Sequence, residues 1–235
     1  MHNFTASTRI QSLRTLVRKI FTHSFLALFG VARQERFLGS PFYWDHRYRS
    51  GGNSGSGSFG RLAQFKADFL NEFVAENKIS SVIEFGSGDG AQLRLAHYPA
   101  YTGLDVSLTA VKRCRALYGN RSNFRFLHTS EYRPEMKAEL ALSLDVIYHL
   151  VEDEIFEEYM NRLFNSASRY SIIYSSNLED HAIPHVRHRR FTDWVYKHRS
   201  DFCLVRTEKN EYPFDAADPD NTSMANFYIY ERKSA

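Results

Sequence analysis

Cysteine is nearly absent. Cys114 and Cys203 are the only two in 235 residues, too few for a disulfide framework and too far apart for a metal-binding pair. A reducing, cytoplasmic setting is the expectation. Long apolar runs are missing as well. FLALFGVA at 25–32 falls far short of the roughly 20 residues that span a bilayer. No convincing small-residue cleavage site follows it, which argues against a secretory signal. Strong charge of one sign is absent too. The 30 basic and 27 acidic residues leave a net +3, too mild to argue for nucleic acid. No internal repeat is visible. What is present is 43% hydrophobic and 15% aromatic residues, enough for a packed core and against global disorder. One α/β domain with some decoration is the simplest expectation.

One local absence points the other way. Residues 1–34 contain Arg9, Arg14, Arg18, Lys19 and Arg33 but no acid. Ile10, Leu13, Val17, Ile20 and Phe21 follow helical spacing, which predicts a basic amphipathic helix. It either packs on the domain or meets an anionic membrane face, and an organelle transit peptide shares the composition. Residues 1–59 are therefore read as a helical extension ending in a Gly/Ser-rich lid, and 60–235 as the main domain.

Periodicity organises the main domain. Leu62, Phe65, Phe69, Leu70, Phe73 and Val74 predict a helix over roughly 60–77. Strands are predicted at 80–85, 101–105, 123–128, 138–145, 170–176, 202–208 and 226–232. Ser107 is placed to cap a helix carrying Leu108, Val111 and Leu117. Further helices follow the fourth strand and fill 191–198. Alternating strands and helices predict a doubly wound, mostly parallel seven-stranded sheet with helices on both faces. The last two strands read as an antiparallel hairpin at its edge.

Two glycine-rich runs compete as binding elements: SGGNSGSGSFG at 50–60 and IEFGSGDG at 83–90. The second follows the first strand and is expected to open a helix, where doubly wound folds bind nucleotides. Gly86, Gly88 and Gly90 permit a tight turn and close ligand approach. Their spacing is not the dinucleotide G-x-G-x-x-G, and the turn carries Glu84 and Asp89, which repel a pyrophosphate. A ligand that is uncharged or cationic here fits better. S-adenosylmethionine, with a sulfonium and an ammonium and no phosphate, has that chemistry. Asp105, ending the next strand, is placed to take ribose hydroxyls.

Glu84–Gly90 followed by Asp105 resembles class I S-adenosylmethionine-dependent methyltransferases, as does the terminal strand pair; the likeness covers roughly 60–232. It implies that Glu84 and Gly86 border the cofactor's methionine part, that Asp105 binds the ribose, and that Ser87, Gly88, Gly90 and Val106 also contact the cofactor. It places 128–130, including His128, beside adenine, although the acid many members carry there is missing. YWDHRYRSGGNSGSGS, LSLDVIYHL and HVRHRRFTDW resemble, more loosely, methyltransferases found alongside bacterial surface-glycan enzymes. The first glycine run follows no strand. It is read as a mobile lid over 42–60, with Tyr43, Trp44 and Tyr48 facing cofactor or acceptor.

On the acceptor side, Asp145 and His149 follow the fourth strand at the topological switch. Asp145 orients the ammonium or the acceptor, or caps the next helix. His149 is a candidate base or a packing residue. Residues 181–199 hold His181, His185, His188 and His198 with five Arg or Lys residues and only Asp193 as an acid. His185, Arg187, His188 and Arg190 are read as an anion-binding wall. A three-histidine metal site is the lesser alternative, and a solvated basic surface the plainest. The resulting expectation is O-methylation of an anionic small-molecule or glycan-type acceptor, its phosphate or carboxylate recognised by that wall. A nucleic-acid methyltransferase and a non-catalytic, cofactor-binding assembly protein are the alternatives. An Asn/Asp-Pro-Pro-aromatic tetrapeptide, as base-amine methylases carry, is missing.

Overall fold

The computed structural model describes residues 37–234. The basic helix of residues 1–34, with its membrane and transit readings, lies outside them. Among the described residues no helix is long and apolar enough to cross a membrane.

Seven strands form one sheet in the order β3-β2-β1-β4-β5-β9-β8. They are β1 (Val82–Phe85), β2 (Tyr101–Asp105), β3 (Phe124–His128), β4 (Ala138–Leu144), β5 (Ala167–Ser175), β8 (Phe202–Glu208) and β9 (Asn226–Arg232). β1 to β5 run parallel, and β9 lies antiparallel between β5 and β8. β1 is buried at all four positions, as a central parallel strand covered on both faces must be. β8 ends the sheet and carries a bulge: Leu204 pairs with Tyr230 and Arg206 with Ile229, so Val205 is extra.

Helices cover both faces. α2 (Gly60–Glu76) and α3 (Leu108–Tyr118) pack Leu70, Val74, Val111 and Cys114 against Leu140, Leu142 and Ile172. On the other face α4 (Asp153–Ser166) and α5 (Phe191–His198) pack Met160, Leu163, Phe164 and Phe191 against Ile83, Ala141 and Ile173. α2 ends in a left-handed cap at Lys78 (φ 53°). The Ile79 amide there donates to Val74 O and the Lys78 amide to Ala75 O, which satisfies the last turn. Ser107 caps α3 as its sequence position predicts, accepting from the Ala110 amide.

Three elements differ from expectation. The glycine turn after β1 does not open an α-helix. A single 3-10 turn, Gln92–Leu95, replaces it; Asp89 accepts from the Ala91 amide just ahead of that turn. The stretch 40–49 forms a helix, α1 (Ser40–Arg49), with Pro41 in its first turn where a missing N–H costs nothing. The basic stretch after β5 contains a separate two-stranded hairpin, β6 (Asp180–Ile183) and β7 (Val186–His188).

Candidate cofactor and active site

A cavity of about 250 Å³ opens at the carboxyl ends of β1, β2 and β4, where the strand order reverses. Its floor is the turn after β1. Gly86 and Gly88 sit at φ 84° and 58°, conformations that L side chains rarely adopt. Close approach adds a second constraint: a Cβ on Gly86 would lie 2.5 Å from Val146, and one on Gly88 2.3 Å from Ser54. Asp105 braces the turn, accepting from the Gly88 amide at 2.9 Å and the Ser107 amide at 2.8 Å. Glu84 alternates onto the α2 side of β1, where it is 5% exposed and accepts from the Tyr101 hydroxyl at 2.6 Å. Burial raises Glu84 to about 7 and Asp105 to about 6.

The first glycine run lies over this floor. The Ser54 hydroxyl donates to Asp89 at 2.7 Å and lies 3.0 Å from the Tyr48 hydroxyl. Arg113 on α3 reaches the carbonyls of Tyr48 and Gly52, both at 2.7 Å. At the other end Ser40 donates to Glu152 from its amide and its hydroxyl. Asp89 therefore anchors the covering segment instead of facing a ligand. Tyr48 is buried in the cavity wall, and burial raises its phenol far above the ordinary value.

Asp145 follows β4 in a left-handed conformation (φ 58°). Its carboxylate accepts from Lys66 Nζ at 2.5 Å and from the Tyr148 hydroxyl at 2.9 Å, so it does not cap α4. Lys66 is 1% exposed and its ammonium lies 5.3 Å from the Tyr174 ring. The sequence does carry a signal for it: Lys66 stands four residues from both Leu62 and Leu70, on the stripe that must be buried. Gln92 and Ser87 complete this end. Gln92 Oε1 and Ser87 Oγ are buried without a partner in the protein.

His149 lines the opposite end, edge-on to Trp44 with ring centres 4.8 Å apart. Its Nδ1 lies 3.4 Å from the His185 carbonyl. A carbonyl only accepts, so Nδ1 carries the proton and Nε2 keeps its lone pair. Burial lowers His149 to about 4.

Several residues read from the sequence are placed elsewhere. Tyr43 stacks on His185 at 4.6 Å, away from the cavity lining. His128 turns its ring to Ser130 and the Val106 carbonyl, and Thr129 and Val106 line the cavity beside it. Gly90 packs beneath the floor, where a Cβ would meet Tyr118 at 2.8 Å. The basic wall needs correction. Arg187 pairs with Asp153 at 2.9 Å and reaches the Val151 carbonyl, while Arg189 pairs with the same carboxylate. These guanidiniums fasten the β6–β7 hairpin to the start of α4. His188 bonds Ser176 at 2.6 Å, and Arg190 is exposed. Among the described residues no cluster of His, Cys, Asp or Glu could hold a metal ion.

No family model matches the chain, and no curated protein does. Solved structures do. The N-methyltransferase NodS from Bradyrhizobium japonicum WM9, in complex with S-adenosyl-L-homocysteine, superposes with a TM-score of 0.62 at 13% identity. It covers 83% of this chain and 100% of that one. The magnesium protoporphyrin IX methyltransferase from Synechocystis PCC 6803 gives 0.59 at 15%, over 84% and 97%. The methyltransferase domain of bacterial CtHen1-C gives 0.56 at 17%, over 72% and 97%. With its reversed strand order and inserted antiparallel β9, the described chain has the Rossmann-like fold of class I S-adenosylmethionine-dependent methyltransferases.

Proposed function

We propose that the protein is an S-adenosylmethionine-dependent methyltransferase that methylates a neutral hydroxyl on a small-molecule or glycan-type acceptor. The observation that carries this reading is the charge of the cavity. Glu84 and Asp105 are buried in it, and its two cations, Lys66 and Arg162, are already paired with Asp145 and Glu158. Such a site repels a dinucleotide's pyrophosphate and suits a ligand that is cationic and phosphate-free.

The residues fit that cofactor. Asp105 would hold ribose hydroxyls, and Glu84 and Asp145 the cationic end. Lys66 and the unpartnered oxygens of Gln92 and Ser87 stand ready for the remaining polar groups. When bound, the cofactor supplies an electrophilic methyl group. The protein's own part is to position the acceptor, exclude water and remove a proton. The segment 40–59 serves as lid. Trp44 presents an aromatic wall to the acceptor, and His149, neutral above about pH 4, offers Nε2 to the hydroxyl proton. The pairing of Arg187 and Arg189 with Asp153 supports an acceptor recognised as neutral.

Calorimetry with S-adenosylmethionine and with NAD tests the cofactor. Incubation with methyl-labelled cofactor and separated glycan, lipid, RNA and protein fractions tests the acceptor. Binding of NAD alone overturns the cofactor reading, and label in the RNA fraction overturns the acceptor class.

A further inference from the structure

His149 is held from three directions. Tyr148, its chain neighbour, places a ring 4.5 Å away and is itself fixed by its hydroxyl bond to Asp145. Trp44 of α1 meets the imidazole edge-on. The third hold is the His185 carbonyl on Nδ1, and it comes from the turn of the β6–β7 hairpin. Ile183 pairs with Val186 there, so Pro184 and His185 are the two residues between them. Arg187 and Arg189 pin the second strand of that hairpin to the Val151 carbonyl and to Asp153. The turn itself is held by the lid. The Tyr43 ring stacks on the His185 ring with centres 4.6 Å apart and planes 15° from parallel. Tyr43 and Trp44 stand at 89° to one another, so neighbouring residues of one helix meet two histidines at once. Tyr43, His185, His149 and Trp44 thus close a ring of contacts through α1, the hairpin turn and the short turn after β4.

The consequence is chemical. A neutral imidazole carries its one ring proton on Nδ1 or Nε2, and the partner of one nitrogen decides which. Only with the proton on Nδ1 can Nε2 accept another. The His185 carbonyl, which only accepts, selects that form. We propose that Tyr43 and His185 are positioning residues: seating the lid stacks Tyr43 on His185, sets the His185 carbonyl on Nδ1 and so holds His149 in the tautomer that can take a proton. The inference rests on the reading of His149 as the base. Neither Tyr43 nor His185 lines the cavity, so both act through His149 and not by touching acceptor or cofactor. With the lid lifted, the hairpin turn loses its stack and the imidazole is free to carry its proton on either nitrogen.

Nitrogen-15 spectra of the full chain with labelled histidine, near neutral pH, separate the two tautomers, and the signal missing from His149→Gln identifies His149. The parent protein should show Nδ1 protonated and Nε2 not. Tyr43→Ala should show a mixture of both forms. So should His185→Ala, which keeps the carbonyl but loses the ring that steadies it. The double variant should look like either single one, since the two rings act as a unit. Tyr43→Phe keeps the stack and should restore the parent spectrum. With saturating methyl-labelled S-adenosylmethionine and the glycan fraction, Tyr43→Ala should transfer label at least about tenfold more slowly, with cofactor affinity within about twofold of the parent's. A parent His149 protonated on Nε2 overturns the proposal, as does a Tyr43→Ala spectrum identical to the parent's. A shifted tautomer with an unchanged transfer rate overturns the reading of His149 as base instead.

Discussion

Lys66 and Asp145 meet at 2.5 Å although one sits on the helix before the sheet and the other just past the end of β4. The pair joins the helix layer to the floor of the site. A buried charge left without its partner is far more costly than the pair itself is stabilising. Asp145→Asn keeps the left-handed backbone, which Asn tolerates, and removes only the charge. It should destabilise the protein by about 3 kcal/mol in urea unfolding. Adding Lys66→Met should recover most of that loss. A double variant less stable than Asp145→Asn would disprove the coupling.

Asp105→Ala removes a carboxylate that organises the glycine turn and is proposed to hold ribose. Loss of one charge-assisted hydrogen bond costs about 1.5–3 kcal/mol, so affinity for S-adenosylmethionine should fall at least about tenfold. The rise in melting temperature on adding cofactor should shrink in parallel, as differential scanning fluorimetry would show.

Stability of the empty protein should change with pH in opposite senses at two residues. Glu84 has a folded value near 7 against an ordinary 4.5, so its contribution is full below 4.5 and is lost as pH rises through 7. His149 is lowered from 6.5 to about 4, so its contribution is present above 6.5 and is lost as pH falls toward 4. Glu84→Gln should therefore gain on the parent protein above neutrality and not in acid. His149→Gln should lose its disadvantage in acid. Unfolding curves across this range check both.

With a neutral hydroxyl acceptor, His149→Ala should cut kcat by roughly 10²-fold or more while leaving cofactor affinity nearly unchanged. Because His149 stays neutral down to about pH 4, the parent enzyme's kcat should show no loss near pH 6.5 from its protonation. By contrast Arg187→Ala should leave the acceptor KM within about twofold, since a partly exposed pair with Asp153 contributes only about 0–1 kcal/mol and lies outside the cavity lining.

Lid seating depends on Gly57. A Cβ there would come within 2.9 Å of Asp145 Oδ2. Gly57→Ala should hold the covering segment off the floor, speed proteolysis within 50–59 and weaken cofactor binding. Equal cleavage rates for the two proteins would show that the segment seats without that contact.

The sheet was legible because its strands are short apolar runs between turn residues, and β1 leads directly into the glycine turn. The segment after that turn misled, because a glycine turn after a strand usually starts a helix, whereas here a single 3-10 turn follows it. The basic wall misled for a different reason. Composition shows that Arg187 and Arg189 are cationic but not that Asp153, far off in sequence, will bind both. Lys66 was visible as a charge on an apolar stripe, but its partner follows a strand many residues away. Pairings across such separations are set by the packing of the sheet and its helices, which no local window contains.

The extra residue in β8 has a consequence beyond the ladder it interrupts. Leu204 and Val205 are about half exposed, at 47% and 48%, on a strand that has no neighbour on its outer side among the described residues. A straight apolar strand in that position would be a template on which further chains could add. Val205 puts the two halves of the strand one residue out of step, so an incoming straight strand can match either half but not both. A straight strand added from this side of the molecule would have to break step at that valine.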